Sequence, residues 1–361
     1  MDADVAIVGG GIMGLCAAWR LAARGRDVVV LERFHIGHDR GSSHGATRIF
    51  RFAYGDPFWA RLAQASLPFW RELETESNSE LVTMTGGLDV GPPARIESIA
   101  SALKSAGAKA EWLDARERER RFEWLRIAQD PAVWSPDTGV IAADRAVESV
   151  AVIAGAAGAR IEESAGVSAA ELEGDAVTLR TPGGAVTART VIVAAGAWVN
   201  RLLQPLGIVL PLRVTREQIA YFWSLPEKEL IPFIHWGDVH RYGVPQRAGS
   251  PGYKVAEHGS GVETDPDATV KTSAGAAARV RNYVVEHLPE LDPEAVARET
   301  CLYTTTPTED FIIGRRGSLI VASPCSGHGF KFAPLVGEIL AALATGAKPP
   351  VDIGRFAIPR T

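Results

Sequence analysis

The chain has 361 residues, of which 46% are hydrophobic, and a formal net charge of −5. That length exceeds one ordinary core and suits two domains, and the apolar content excludes a disordered chain. Acids and bases are scattered, which excludes a nucleic-acid partner that would need a basic face. The three cysteines, Cys16, Cys301 and Cys325, give neither a disulfide framework nor a C-x-x-C pair. The histidines show no H-x-x-x-H spacing, so no metal site is expected. The start, Met1-Asp2-Ala3-Asp4, lacks the positive charge of a secretory leader. Apolar stretches such as Val191–Val199 fall short of the roughly 18 residues that span a bilayer. The expectation is a cytoplasmic protein with no membrane segment.

Val5–Val8 reads as a buried parallel strand. A glycine turn follows, then an alanine-rich helix over Leu15–Arg24 with Gly25 as its C-cap. Asp27–Glu32 is a second buried strand, which completes a βαβ unit. Residues 41–51 form a polar loop, and Phe58–Glu74 has amphipathic helical spacing. Leu81–Val90 reads as a strand pair turning at Gly86-Gly87. Ile96–Ala106 and Ala115–Phe122 read as helices, with the charges of Arg116–Arg121 on a solvated face. Asp144–Ala157 is a further helix, and Ala185–Ala195 a strand running into a glycine turn. Residues 211–299 carry strand-like runs such as Gln218–Trp223 and Tyr253–Ala256, and one helix near Ala274–His287. The C-terminal stretch again has nucleotide-domain character, with strand Ser318–Ala322, turn Ser326–Lys331 and helix Ala333–Ala344. The pattern predicts an α/β fold, a Rossmann-type domain interleaved with a second α+β domain on a mixed or antiparallel sheet.

Four stretches carry chemistry. In Gly9-x-Gly11-x-x-Gly14, Gly9 makes the tight turn, Gly11 admits a pyrophosphate and Gly14 lets helix and strand pack. The helix start at Ile12 and Met13 offers free N–H groups to phosphate. Glu32 ends the second strand, followed by Arg33, where a carboxylate accepts from ribose hydroxyls and repels the 2′-phosphate of NADP. The loop Gly41–Arg51 sets Arg48 and Arg51 among hydroxyls, as an anion clamp or as an ordinary polar loop. Cys301-Leu302-Tyr303, on its residues alone, reads as a small core cysteine. Ser326–Lys331 permits close backbone approach before a helix, with Lys331 as a point charge for an anion or a surface lysine.

In this order and spacing the four stretches resemble the monomeric sarcosine oxidase family of D-amino-acid-oxidase-like flavoproteins, which includes N-methyltryptophan and pipecolate oxidases. The resemblance covers essentially the whole chain. It implies FAD, attached covalently by a thioether from Cys301 to the flavin 8α carbon. It implies a Rossmann-type FAD-binding domain over 1–82, 140–210 and 300–361 and a substrate domain over 83–139 and 211–299. Arg51 and Lys331 match the pair that holds a substrate carboxylate, and Arg48 an arginine packed by the flavin ring. Lys254 matches the lysine that activates oxygen, and His258 a histidine above the ring. Tyr242 and Tyr303 are expected pocket walls. Val167 would meet the adenine, and Ala195, Gly196 and Trp198 form a second dinucleotide contact. Ser42, Ser43 and Thr47 would contact the cofactor from the arginine loop. Gly327, His328, Gly329 and Phe330 would contact it from the last turn.

The implied reaction is oxidation of a small secondary amine or amino acid, an N-methyl or cyclic imino acid. Hydride goes to flavin N5, the imine hydrolyses, and O2 reoxidises the flavin with release of H2O2. The enzyme is expected to be a monomer. Alternatives are a dehydrogenase with another acceptor, an oxidase of a primary or larger secondary amino acid, and a non-enzymatic flavin-binding protein. Ala46, Gly314, Pro324-Cys325 and Glu257 depart from the family pattern and bear on the substrate. Glu257, His240 and Trp236 either shape the pocket or lie outside it.

Overall fold

The computed structural model describes residues 1–224, 229–246, 252–269 and 272–359. Its eight-stranded sheet is centred on Ala3–Val8. Val28–Leu31 and Gly184–Val193 flank that strand in parallel, and Arg160–Glu162 and Leu319–Ser323 extend the parallel set. Ala169–Glu173 and Ala176–Thr181 add an antiparallel edge, and Ile312–Arg316 another. Residues 5–8, 28–31, 191–193 and 319–322 are continuous apolar runs because both faces are covered, whereas the edge strands Arg160–Glu162 and Ala169–Glu173 are largely exposed. Helices Ile12–Ala22 and Ala333–Thr345 pack on one face and bury Leu15, Trp19, Leu335 and Ile339. Val8, Leu31 and Val193 end together, so the parallel strands present one carboxyl edge, where such sheets bind ligands.

The second sheet has nine strands. Arg213–Ser224 lies between Tyr253–Glu257 and Leu291–Thr305, and the sheet continues through His240–Pro245, Phe233–Trp236 and Gly87–Val90. All these pairings are antiparallel except Phe233–Trp236 with Gly87–Val90. Alternation sorts its residues. One face sends Leu88, Phe222, Phe233, Tyr253 and Val255 against Val280, Tyr283 and Val284 of helix Ala274–His287. The opposite face is free for chemistry. A three-stranded sheet of Thr47–Phe50, Gly139–Ala142 and Val82–Met84 completes the architecture. Helix Pro57–Ser77 starts on a sharp signal, with Asp56 accepting from the Phe58 N–H and Pro57 in the first turn, and Asn78 ends it in the left-handed region.

Two expectations are corrected. Val82–Met84 and Gly87–Val90 do not pair with each other. The first joins Gly139–Ala142 and the second Ala132–Ser135, in different sheets. An alternating strand pattern fixes which face is buried but not which distant strand is the partner. The charged helix Ala115–Arg121 is not wholly solvated, because Arg118 is fully buried and donates to the Asp130 carbonyl at 2.8 Å. Strand Leu291–Thr305 runs unbroken through residue 300, one of the expected domain boundaries. Among the described residues no helix is long and apolar enough to cross a membrane, and no cluster of His, Cys, Asp or Glu is arranged to hold a metal.

Candidate active site

A cavity of about 1030 Å³ is lined from the carboxyl edge of the first sheet to the free face of the second. At the nucleotide end Gly9 turns with φ +109°, and its N–H donates to the Leu31 carbonyl at 3.0 Å. A Cβ at Gly14 would sit 2.0 Å from the Gly9 carbonyl oxygen, so only glycine lets the helix seat here. Ser43 Oγ accepts from the Ile12 N–H at 3.1 Å. The Glu32 carboxylate is buried and accepts from Gly10 N–H at 2.6 Å and Phe34 N–H at 2.8 Å, with His38 Nε2 at 3.4 Å. Burial alone would raise its pKa, but the bonds from His38, Phe34 and Gly10 outweigh it and hold the carboxyl below its usual range. Gly11, Met13, Arg33 and Val167 line this end, as do Ala195, Gly196 and Trp198. Arg33 and the Trp198 Nε1–H both donate to Asp267 at 2.8 Å, and Arg201 pairs with Asp265 and Asp267. Nothing in the sequence singled out that clasp.

The reacting end is one face of the nine-stranded sheet. Glu217 opposes Cys301, Thr215 opposes Tyr303, Tyr221 opposes Lys254, and Tyr242 opposes Ala256, so these side chains share a side. Lys254 is buried and its ammonium donates to the Thr47 carbonyl at 2.5 Å. Burial, helped by Arg48, lowers its pKa to about 7. Arg48 donates to the carbonyls of Thr47 at 2.9 Å and Ser42 at 3.0 Å, and its guanidinium lies 5.4 Å from the Phe330 ring. Ser42 Oγ donates to the Leu302 carbonyl at 2.6 Å and ties the arginine loop to the cysteine strand. Cys301 is a buried free thiol, pushed up to about 11 by burial. Tyr303 Oη is 3.3 Å from His258 Nδ1. Burial, then Arg51 and Lys331, lower the His258 pKa to about 4, so it is uncharged at neutral pH.

Two buried basic side chains close this end. The Lys331 ammonium donates to Tyr54 Oη at 2.9 Å and to the His328 carbonyl at 2.7 Å, while Ser66 and Trp70 hold its own carbonyl at 2.8 and 2.7 Å. Burial, then Arg51, push its pKa well below the usual lysine range. Arg51 stacks 4.4 Å from the Tyr54 ring. Its Nη1 lies 3.7 Å from Asp89 and has no hydrogen-bond partner among the described residues. Asp89 is buried and accepts from Trp236 Nε1 at 2.8 Å; burial raises its pKa against the pull of Arg51. A buried donor without a hydrogen bond is costly, so this corner has room for a further acceptor beside Asp89. Beyond Gly327 and Gly329 a single 3-10 turn, Phe330–Phe332, leads into helix Ala333–Thr345 at the cavity wall.

The residues expected from sequence converge on this cavity, with two exceptions. Gly14 and Thr47 do not line it: Gly14 serves helix packing, and the Thr47 carbonyl anchors Lys254 and Arg48. Trp236 and His240 are in the wall, whereas Glu257 points away to Arg241 and Arg279. Sequence reasoning missed Tyr54 and Asp89. The signal for Asp89 was an acid inside a buried strand, Gly87–Val90.

A family model described as FAD dependent oxidoreductase matches residues 4–343. Peroxisomal sarcosine oxidase of Homo sapiens is 31% identical over 376 aligned residues, covering 99% of this chain and 96% of the relative. Monomeric sarcosine oxidase of Bacillus sp. (strain NS-129) is 32% identical over 380, with the same coverage of 99% and 96%. Among solved structures, the open form of NikD, an unusual amino acid oxidase essential for nikkomycin biosynthesis, superposes with a TM-score of 0.91 at 30% identity, covering 99% of this chain and 97% of that one.

Proposed function

The chain belongs to the FAD dependent oxidoreductase family and acts on CH–NH donors, and on that premise we propose that it is an oxidase of small secondary amino acids that bear a carboxylate, with dioxygen as acceptor and peroxide as product. The observation that carries this reading is the buried Nη1 of Arg51, which makes no hydrogen bond among the described residues and lies at the same end as Lys331. The residues present fit FAD. The Gly9–Gly11 turn and the helix start would hold the pyrophosphate, Glu32 the ribose and Val167 the adenine. When bound, FAD supplies the two-electron acceptor for the C–H beside the substrate nitrogen. Cys301, a buried thiol on the cavity face, is the proposed covalent tether.

Arg51 binds two carboxylate oxygens in one plane, and Lys331 adds a compact charge. Tyr54 orients both, one through its ring and one through its hydroxyl. The clamp fixes the reacting carbon relative to the sheet face. The neighbouring cations favour the neutral amine, whose lone pair drives the oxidation. His258, held uncharged, exchanges a hydrogen bond with Tyr303 at the same place. Lys254 is the proposed group on the oxygen side, able to hold a proton below its folded pKa of about 7 and to give it up above. The two sheets support the division into an FAD domain (1–82, 140–210, 300–361) and a substrate domain (83–139, 211–299), since their strands fall mainly in those ranges. The Bacillus relative's name, monomeric sarcosine oxidase, supports a monomer. Anaerobic mixing of the holoenzyme with N-methylglycine, proline and pipecolate tests the reading: at least one should bleach the flavin, and bleaching by none overturns it.

A further inference from the structure

The clamp of Arg51 and Lys331 occupies one substrate carboxylate and leaves a third cation at the same end. Arg95 sits in the first turn of helix Pro93–Ser105 and lines the cavity with Arg51, Tyr54 and Trp236. Its guanidinium lies 3.9 Å from the centroid of the Trp236 ring. Trp236 is fixed in turn, by its Nε1–H on Asp89 at 2.8 Å and by stacking with His240 at 4.1 Å. Arg95 forms no ion pair among the described residues. A positive charge in the first turn of a helix opposes the helix dipole, so nothing in its own helix rewards the residue. Asp89 attracts it at longer range but is engaged by Trp236 and Arg51 and forms no ion pair with it. Arg95 and Glu309 both line the cavity and both are exposed, so water and salt screen the attraction between them and leave the guanidinium edge open to a ligand.

We propose that Arg95 binds a second anionic group of the substrate, so that the preferred substrates are N-alkyl or cyclic amino acids with an acidic side chain. The inference rests on the reading that Arg51 and Lys331 hold the α-carboxylate. A guanidinium stacked on a fixed indole keeps its N–H edge in one plane, which suits a bidentate carboxylate. A substrate with one carboxylate makes no use of it.

The test compares kcat/KM of the holoenzyme for N-methyl-L-aspartate and N-methyl-L-glutamate with N-methyl-L-alanine and N-methylglycine, in the wild type and in Arg95→Ala. One charged hydrogen bond predicts an acidic-over-neutral preference of about tenfold or more, and collapse of that ratio in the variant. A binding readout runs beside it: perturbation of the flavin spectrum by succinate and by butyrate, neither of which carries an amine. Succinate should bind more tightly to the wild type, and Arg95→Ala should remove the difference. Neutral substrates preferred in the wild type, or a variant that lowers all four alike, would overturn the proposal. If none of the four is oxidised but succinate still discriminates through Arg95, the oxidase reading fails and the anion site stands.

Discussion

The nucleotide end and the reacting end of the cavity are assembled in different ways. Gly9, Gly14 and Glu32 belong to one βαβ unit, and the chain there folds back on itself within a short span. Arg51, Trp236, Lys254, Cys301 and Lys331, with Asp89 against Arg51 and Trp236, come from separate stretches and meet because the nine-stranded sheet turns one face toward the turns of the eight-stranded one. A local unit sets the cofactor's anchor, and a long-range register sets the chemistry. Damage should therefore be all-or-none at the first end and graded by residue at the second.

The largest effect is expected from Gly14→Val. Its Cβ would lie 2.0 Å from the Gly9 carbonyl oxygen, so the helix cannot seat and the purified protein should be colourless or insoluble. A yellow, soluble variant would show that the turn tolerates displacement. Next comes Cys301→Ser: after acid precipitation the wild-type flavin should stay with the pellet and the variant's should appear in the supernatant. Flavin released equally from both would remove the tether. Arg51→Ala or Lys331→Ala should each lower kcat/KM for a carboxylate substrate by about 10- to 100-fold, the loss of one charged hydrogen bond. The smallest effect concerns Lys254. Its folded pKa is lowered to about 7 from 10.5, so between those values the unfolded chain holds a proton that the folded chain lacks. Its penalty on stability is complete below about pH 7 and fades as pH rises toward 10.5. In flavin-free Cys301→Ser protein, the urea midpoint should therefore gain more between pH 7 and pH 9 than it does after a further Lys254→Met. Equal gains would show that Lys254 is already charged when folded.

The same contrast explains what was legible in the sequence. The glycine turn and Glu32 were readable because their roles need only neighbours. Cys301 was not, since its residues alone fit a core cysteine; its proposed role depends on sharing one face of the sheet with Lys254, Tyr303 and Tyr242, and only the family resemblance pointed to it. Glu257 shows how fine the distinction is: it stands one residue before His258 yet points to Arg241 and Arg279 outside the cavity. Asp89 and Arg118 were missed because burial of a charge depends on partners such as Trp236 and the Asp130 carbonyl, which sequence distance hides. The split of Val82–Met84 from Gly87–Val90 is the same failure at the level of strands.

The central claim is that buried cations at the reacting end select a carboxylate-bearing amine for oxidation by dioxygen. It is tested most directly by measuring peroxide formed against amine consumed in air, for N-methyl amino acids and for the same amines without the carboxylate. The account predicts one peroxide per amine with the carboxylate present and a rate at least about tenfold lower without it. Amine consumed without peroxide, or equal rates for both sets, would contradict it.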